Sequence, residues 1–125
     1  MTETGKKADE NYLVFEAGGY PLAIRISQVR KVLARASLDP GVEKIDLGKI
    51  FHCPMPSPGF GLELMVKDGI KSVLVDGVEP IKDLRLAVWL SFPELMRRKN
   101  NRQIEGFFFD GSRMISLINF DLVGN

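Results

Sequence analysis

The stretch Leu62-Glu63-Leu64-Met65-Val66-Lys67-Asp68-Gly69-Ile70-Lys71-Ser72-Val73-Leu74-Val75 narrows the possible folds more than any other part of the chain. Leu62, Leu64 and Val66 alternate with Glu63, Met65 and Lys67, the two-residue period of a half-buried strand. Asp68-Gly69 follows, a pair that tolerates the positive φ of tight hairpin turns. Ile70 to Val75 is a second apolar run, with β-branched residues. Two further strand pairs bracket turn dipeptides of the same kind. Tyr12-Leu13-Val14-Phe15 and Leu22 to Ile26 flank Gly18-Gly19, and Ile104 to Phe109 and Met114 to Ile118 flank Asp110-Gly111. Three hairpins in 125 residues predict a mainly β chain, built as small barrels or a sandwich.

Two short helices are expected between these strands. Ser27 is placed to cap the first, with Val29, Val32 and Leu33 on its buried face at i, i+3 and i+4. Ser91-Phe92-Pro93-Glu94 joins a capping-box spacing to a first-turn proline, which predicts the second, through about Lys99. Asp39-Pro40-Gly41 is turn chemistry, and Val42 to Leu47 reads as a strand. His52 to Gly61, with Pro54, Pro56 and Pro58, reads as a loop of partly polyproline character. Leu86, Val88 and Leu90 alternate as in a strand. Met1 to Glu10 is charged and poor in apolar residues, so residues 1–11 are expected to form a disordered tail and residues 12–125 a single domain.

Charge and cysteine content narrow the function. Net charge is +1, which opposes the large positive field that non-specific nucleic-acid binding uses. Cys53 is the sole cysteine and His52 the sole histidine, so there is no intramolecular disulfide and no soft-ligand metal set to complete. The N-terminal stretch lacks an apolar core of the signal-peptide kind, and no apolar run approaches the ~20 residues that span a bilayer. The expected location is the cytoplasm, without membrane insertion.

Catalytic chemistry finds no residues to carry it. His52 reads as an ordinary loop histidine, since a triad would require a nucleophile and a carboxylate beside it. Gly59-Phe60-Gly61 lacks the third glycine and the strand-to-helix setting of a nucleotide loop. Acidic pairs such as Asp9-Glu10 read as solvated charge. Arg97-Arg98-Lys99 with Arg102 suits the negative end of a helix better than a phosphate site. No catalytic, cofactor-binding or metal-binding residue is assigned, and no cofactor is expected. Phe107-Phe108-Phe109 places Phe108 on one strand face and its neighbours on the other. Burial on both faces is the simpler reading, and an aromatic partner surface the alternative. Two functions therefore stay open, protein binding and nucleic-acid binding by a small β-barrel. The second requires Phe107, Phe109 and Arg113 exposed together.

The order of the elements resembles the CheW-like family of bacterial chemotaxis adaptors. Tyr12 to Phe15 is similar to the family's opening strand, and Leu22 to Ile26 with Val29 to Leu33 to its second strand and the helical turn after it. Ile45-Asp46-Leu47, Val73 to Val78, and Ile104-Glu105-Gly106 with Asp110 to Asn119 are similar to later segments. The resemblance runs from Tyr12 to about Val123. It implies two small interlocked SH3-like β-barrels and a non-enzymatic scaffold for protein partners. These are the regulatory domain of a histidine kinase (itself CheW-like), a chemoreceptor or another adaptor. The chain departs from the family in one stretch. Eight residues separate Leu33 from Val42, and the Asn-Leu-Arg-Gly segment usual there is absent, so the first barrel is expected to be reduced. Lys31 stands where an acidic residue is common. No family contact residue carries over, and the partner-binding residues are left unassigned. The hairpins Leu62–Val75 and Ile104–Ile118 keep the family pattern best and are expected to form one barrel with the working surface.

Overall fold

A computed structural model describes residues 2–3, 11–51, 54, 58–79, 87–92 and 102–123. The strands in chain order are β1 (Thr2–Glu3), β2 (Tyr12–Ala17), β3 (Tyr20–Arg25), β4 (Val29–Ala34), β5 (Glu43–Ile45), β6 (Phe60–Val66), β7 (Gly69–Val75), β8 (Gly77–Val78), β9 (Val88–Ser91), β10 (Ile104–Phe109) and β11 (Met114–Ile118). They form two sheets, one ordered β1-β9-β10-β11-β3-β2-β8 and the other β4-β6-β7-β5. The chain is mainly β, with one short helix, α1 (Leu47–Phe51), and brief 3-10 turns at Ile26–Gln28, Arg35–Ser37 and Phe120–Leu122.

The β2–β3 hairpin explains how two sheets share one small chain. Its turn, Gly18-Gly19, has φ of +59° and +86°, close to the mirror-image turn that matches strand twist. Both faces of β2 are buried. Leu13, Phe15 and Ala17 enter one core with Leu62, Leu64, Val73 and Val75 of the small sheet. Tyr12 and Val14 enter a second core with Trp89, Phe108, Ile115 and Leu117. The hairpin is a wall between two cores, which is why Tyr12 to Phe15 reads as a continuous apolar run rather than an alternation.

Asp76 fastens that wall. Its carboxylate accepts from the Gly18 N–H at 2.6 Å, and its own N–H donates to the Glu16 carbonyl at 2.8 Å. The chain then passes from β7 in one sheet to β8 in the other, where Phe15 pairs with Val78. Asp76→Ala leaves the Gly18 amide without its charged acceptor and is expected to cost about 2 kcal/mol. Asp76→Asn keeps an oxygen there and should lose clearly less. Urea denaturation of the two variants checks the order; equal losses would mean that the carboxylate–amide bond is not the cause.

Several expectations are corrected. No helix starts at Ser27: residues 26–28 make a 3-10 turn without a side-chain cap, and Val29–Ala34 is a strand whose exposed residues include Val32. The apolar spacing there fits a helix, but β6 has backbone groups to satisfy on both sides, and pairing with β4 overrides a weak local preference. The strand expected over 42–47 ends at Ile45. Leu47 instead enters α1, where the Asp46 side chain accepts from the Lys49 N–H at 3.2 Å. In the β6–β7 hairpin the two loop residues are Lys67 and Asp68, one earlier than expected, and Gly69 opens β7 at φ +121°. The hairpins Leu62–Val75 and Ile104–Ile118 do not share a barrel, because they lie in different sheets. Thr2–Glu3, part of the expected tail, pairs with Trp89 and Leu90; residues 4–10 of that tail and 93–100 of the second expected helix lie outside the described residues.

Candidate protein-interaction surface

Pleating sorts β9, β10 and β11 into rows. Trp89, Phe108 and Ile115 stand opposite one another and point into the second core. Phe108 lies between two rings, 4.9 Å from Tyr12 and 4.8 Å from Trp89 by centroid. The next row, Val88, Phe109 and Met114, is also directly opposed but faces outward. These three are 37%, 40% and 44% exposed. Single exposed apolar residues are ordinary, whereas three in adjacent register form a patch.

A further row continues the same face. Leu90, Phe107 and Ser116 are mutually opposed, and Phe92 stacks on Phe107 at 5.8 Å and 27°. Ser116 also pairs with Leu22 of β3, so the face runs from β9 without a break to the first core. At that junction lies an apolar cavity of about 210 Å³, lined by Tyr20, Leu22, Phe51, Ile104, Ser116 and Ile118, with Ala17. Its size suits one inserted side chain. Tyr20, 61% exposed, stands at the rim.

Gly106 sets how closely β9 and β10 approach. A Cβ there would lie 2.5 Å from the Leu90 carbonyl oxygen and 2.6 Å from the Trp89 ring. Neither neighbour can yield without disturbing the ladder, so Gly106→Ala is expected to destabilise by about 1–3 kcal/mol. Thermal unfolding measures this; a variant as stable as the parent would show that β9 is free to shift.

Two ion pairs flank the face. Arg25 bonds Glu105 through both nitrogens, at 2.5 and 2.8 Å. Arg113 bonds Glu79 through both, at 2.7 Å each, with Asp110 at 3.8 Å from its Nε. The hydrogen bond to Glu79 raises the Arg113 pKa, against a smaller effect of burial. The Asp110 carboxylate also accepts from the Ser112 and Arg113 amides, closing the β10–β11 turn.

Phe108 is buried, Phe107 is half-buried against Phe92, and Phe109 is exposed. The nucleic-acid arrangement is not met: Phe107 is covered by Phe92, and both terminal nitrogens of Arg113 are engaged by Glu79. Gly61 is packed beneath Leu38 within β6, not in a phosphate loop. Arg102 lies exposed in the turn before β10. His52, Cys53, Asp9-Glu10 and Arg97 to Lys99 lie outside the described residues. Among the described residues no group of acidic, histidine or cysteine side chains is placed to hold a metal ion, and no helix is long and apolar enough to cross a membrane. Sequence reasoning did not find Val88, Met114 or the cavity; the alternation in β9 favoured Val88 and Leu90 as the buried set, whereas Trp89 is the residue that turns inward.

The fold is that of the CheW-like class, two β-sheets around two cores that share a hairpin, consistent with two SH3-like barrels. Among solved structures the chain is similar to the scaffolding protein TtCheW from Thermoanaerobacter tengcongensis, with a TM-score of 0.70, 17% identity and 88% of each chain covered. No family model matches the chain, and no curated protein does.

Proposed function

We propose that this protein is a non-enzymatic adaptor or regulator in bacterial chemotaxis-type signalling. Its partners are the CheW-like regulatory domain of a histidine kinase, a chemoreceptor or another adaptor, and it works in the cytoplasm. The observation that carries this reading is the outward row Val88–Phe109–Met114, continuous with an apolar cavity, on a fold shared with a scaffolding protein. Interfaces are anchored by aromatic and methionine side chains that fill or offer pockets, and this face has both parts. The departure over Leu33 to Val42 belongs to the same proposal, as a first barrel reduced relative to the family.

Near-neutral charge sets the expected character of binding. With a net charge of +1, apolar contact rather than long-range attraction supplies most of the affinity for the kinase domain. The test titrates the purified protein against that domain and against single-stranded DNA, at low and high salt. Binding to the kinase domain that changes little with salt supports the proposal. Binding to DNA alone, lost at moderate salt, would overturn it.

A further inference from the structure

β4 ends the small sheet, and its ladder with β6 defines which backbone groups remain open. Lys31 pairs with Glu63, Val32 with Leu62, Leu33 with Gly61 and Ala34 with Phe60, in one unbroken antiparallel register. In the same register the Arg35 N–H donates to the Gly59 carbonyl at 3.0 Å. Bonded pairs alternate along such a ladder, so Lys31 and Leu33 turn their N–H and C=O groups towards β6. Val32 and Ala34 turn theirs the other way, along an edge that no strand neighbours among the described residues. Both residues are exposed. Such an edge is a template for an added strand.

The side chains specify what would add. Arg30, Lys31 and Arg35 are all exposed along this short segment. Among the described residues the carboxylate in ion-pair range of the three is Glu63, 3.6 Å from Arg30 and itself buried. Val32 and Ala34 offer apolar contact on the other face of the strand, beside Phe60. A second copy of this chain would bring its own Arg30 and Lys31 against these, and like charges across a pair of strands repel. We infer that the β4 edge takes an extended acidic segment of a partner protein, acidic side chains alternating with apolar ones, as an added strand. This site is separate from the Val88–Phe109–Met114 face and does not depend on that face having a partner.

The probe is an end-blocked eight-residue peptide alternating glutamate and valine, titrated into the isotope-labelled full chain. Val32 and Ala34 are the amides expected to gain protection from hydrogen exchange, while Lys31 and Leu33, already in the ladder, are protected beforehand. Affinity should fall about tenfold or more for a lysine–valine peptide, for an N-methylated acidic peptide and with Val32→Pro, which removes an outward amide that the β6 ladder does not use. Lys31→Glu should weaken the acidic peptide and strengthen the basic one, which keeps the test decisive if Val32→Pro fails to fold. Unlike binding at the apolar face, this binding should weaken steeply with salt. No change at the Val32 and Ala34 amides at millimolar peptide, equal binding of the lysine or N-methylated peptide, or protection of those amides by self-association without peptide would each overturn the inference.

Discussion

Replacing Phe108 by alanine should cost about 3–5 kcal/mol of stability, whereas Phe109→Ala next to it should cost well under 1. The two residues are adjacent in one strand and chemically identical. Phe108 is 1% exposed and lies between Tyr12 and Trp89 in the second core. Truncation there removes two ring contacts and leaves a cavity that the surrounding strands cannot close, because their ladders fix the spacing. Phe109 is 40% exposed and packs on neighbours that are themselves exposed. Domains of this size commonly have about 5–15 kcal/mol in total, so the first change removes a large share of the margin. Chemical denaturation of both variants decides the matter. Similar losses would show that Phe109 is buried in solution and would remove it from the interaction surface.

The second large effect concerns binding. Phe109→Asp places a charge at the centre of the row between Val88 and Met114. If that row meets an apolar partner face, the carboxylate must be desolvated without a counter-ion. Affinity for the kinase's CheW-like domain is expected to fall about 100-fold, near 2.7 kcal/mol, while the unfolding midpoint stays close to the parent's. Isothermal titration calorimetry and thermal unfolding measure the two quantities. Unchanged affinity in a folded variant would show that partners dock elsewhere. Lys67→Asp, which puts the same carboxylate on the exposed β6–β7 turn, is the control, since that turn is remote from β9 and β10 in the sheet order.

The stability and binding predictions rest on the same geometric fact. β10 puts Phe108 and Phe109 on opposite sides of one sheet, with a core on one side and an apolar surface on the other. The cavity beside Ser116 extends that surface to the edge of the first core. One sheet thereby buries a core on one side and presents an apolar surface on the other.

The sequence by itself determined the local pairing. Gly18-Gly19 and Asp110-Gly111 mark their hairpins, because positive φ is a property of single residues and is written in the residue types. The mainly β class, the limits of β10 and β11, and the order of elements that resembles CheW-like proteins follow from the same local rules. Only the tertiary structure decided the rest. Tyr12 to Phe15 looks like any apolar strand until two sheets are seen to bury both of its faces. Val29 to Ala34 carries helix spacing and becomes a strand because β6 offers a ladder. Trp89 turns inward and Val88 outward because register with Phe108 and Phe109, set between strands far apart in the chain, decides which face each side chain takes. The candidate interaction surface consists largely of such choices. Its residues come from β2, β3, α1, β9, β10 and β11, and apart from the aromatic run Phe107–Phe109 no local signal marks them, since proximity across a sheet depends on which strands pair and not on what each strand is made of.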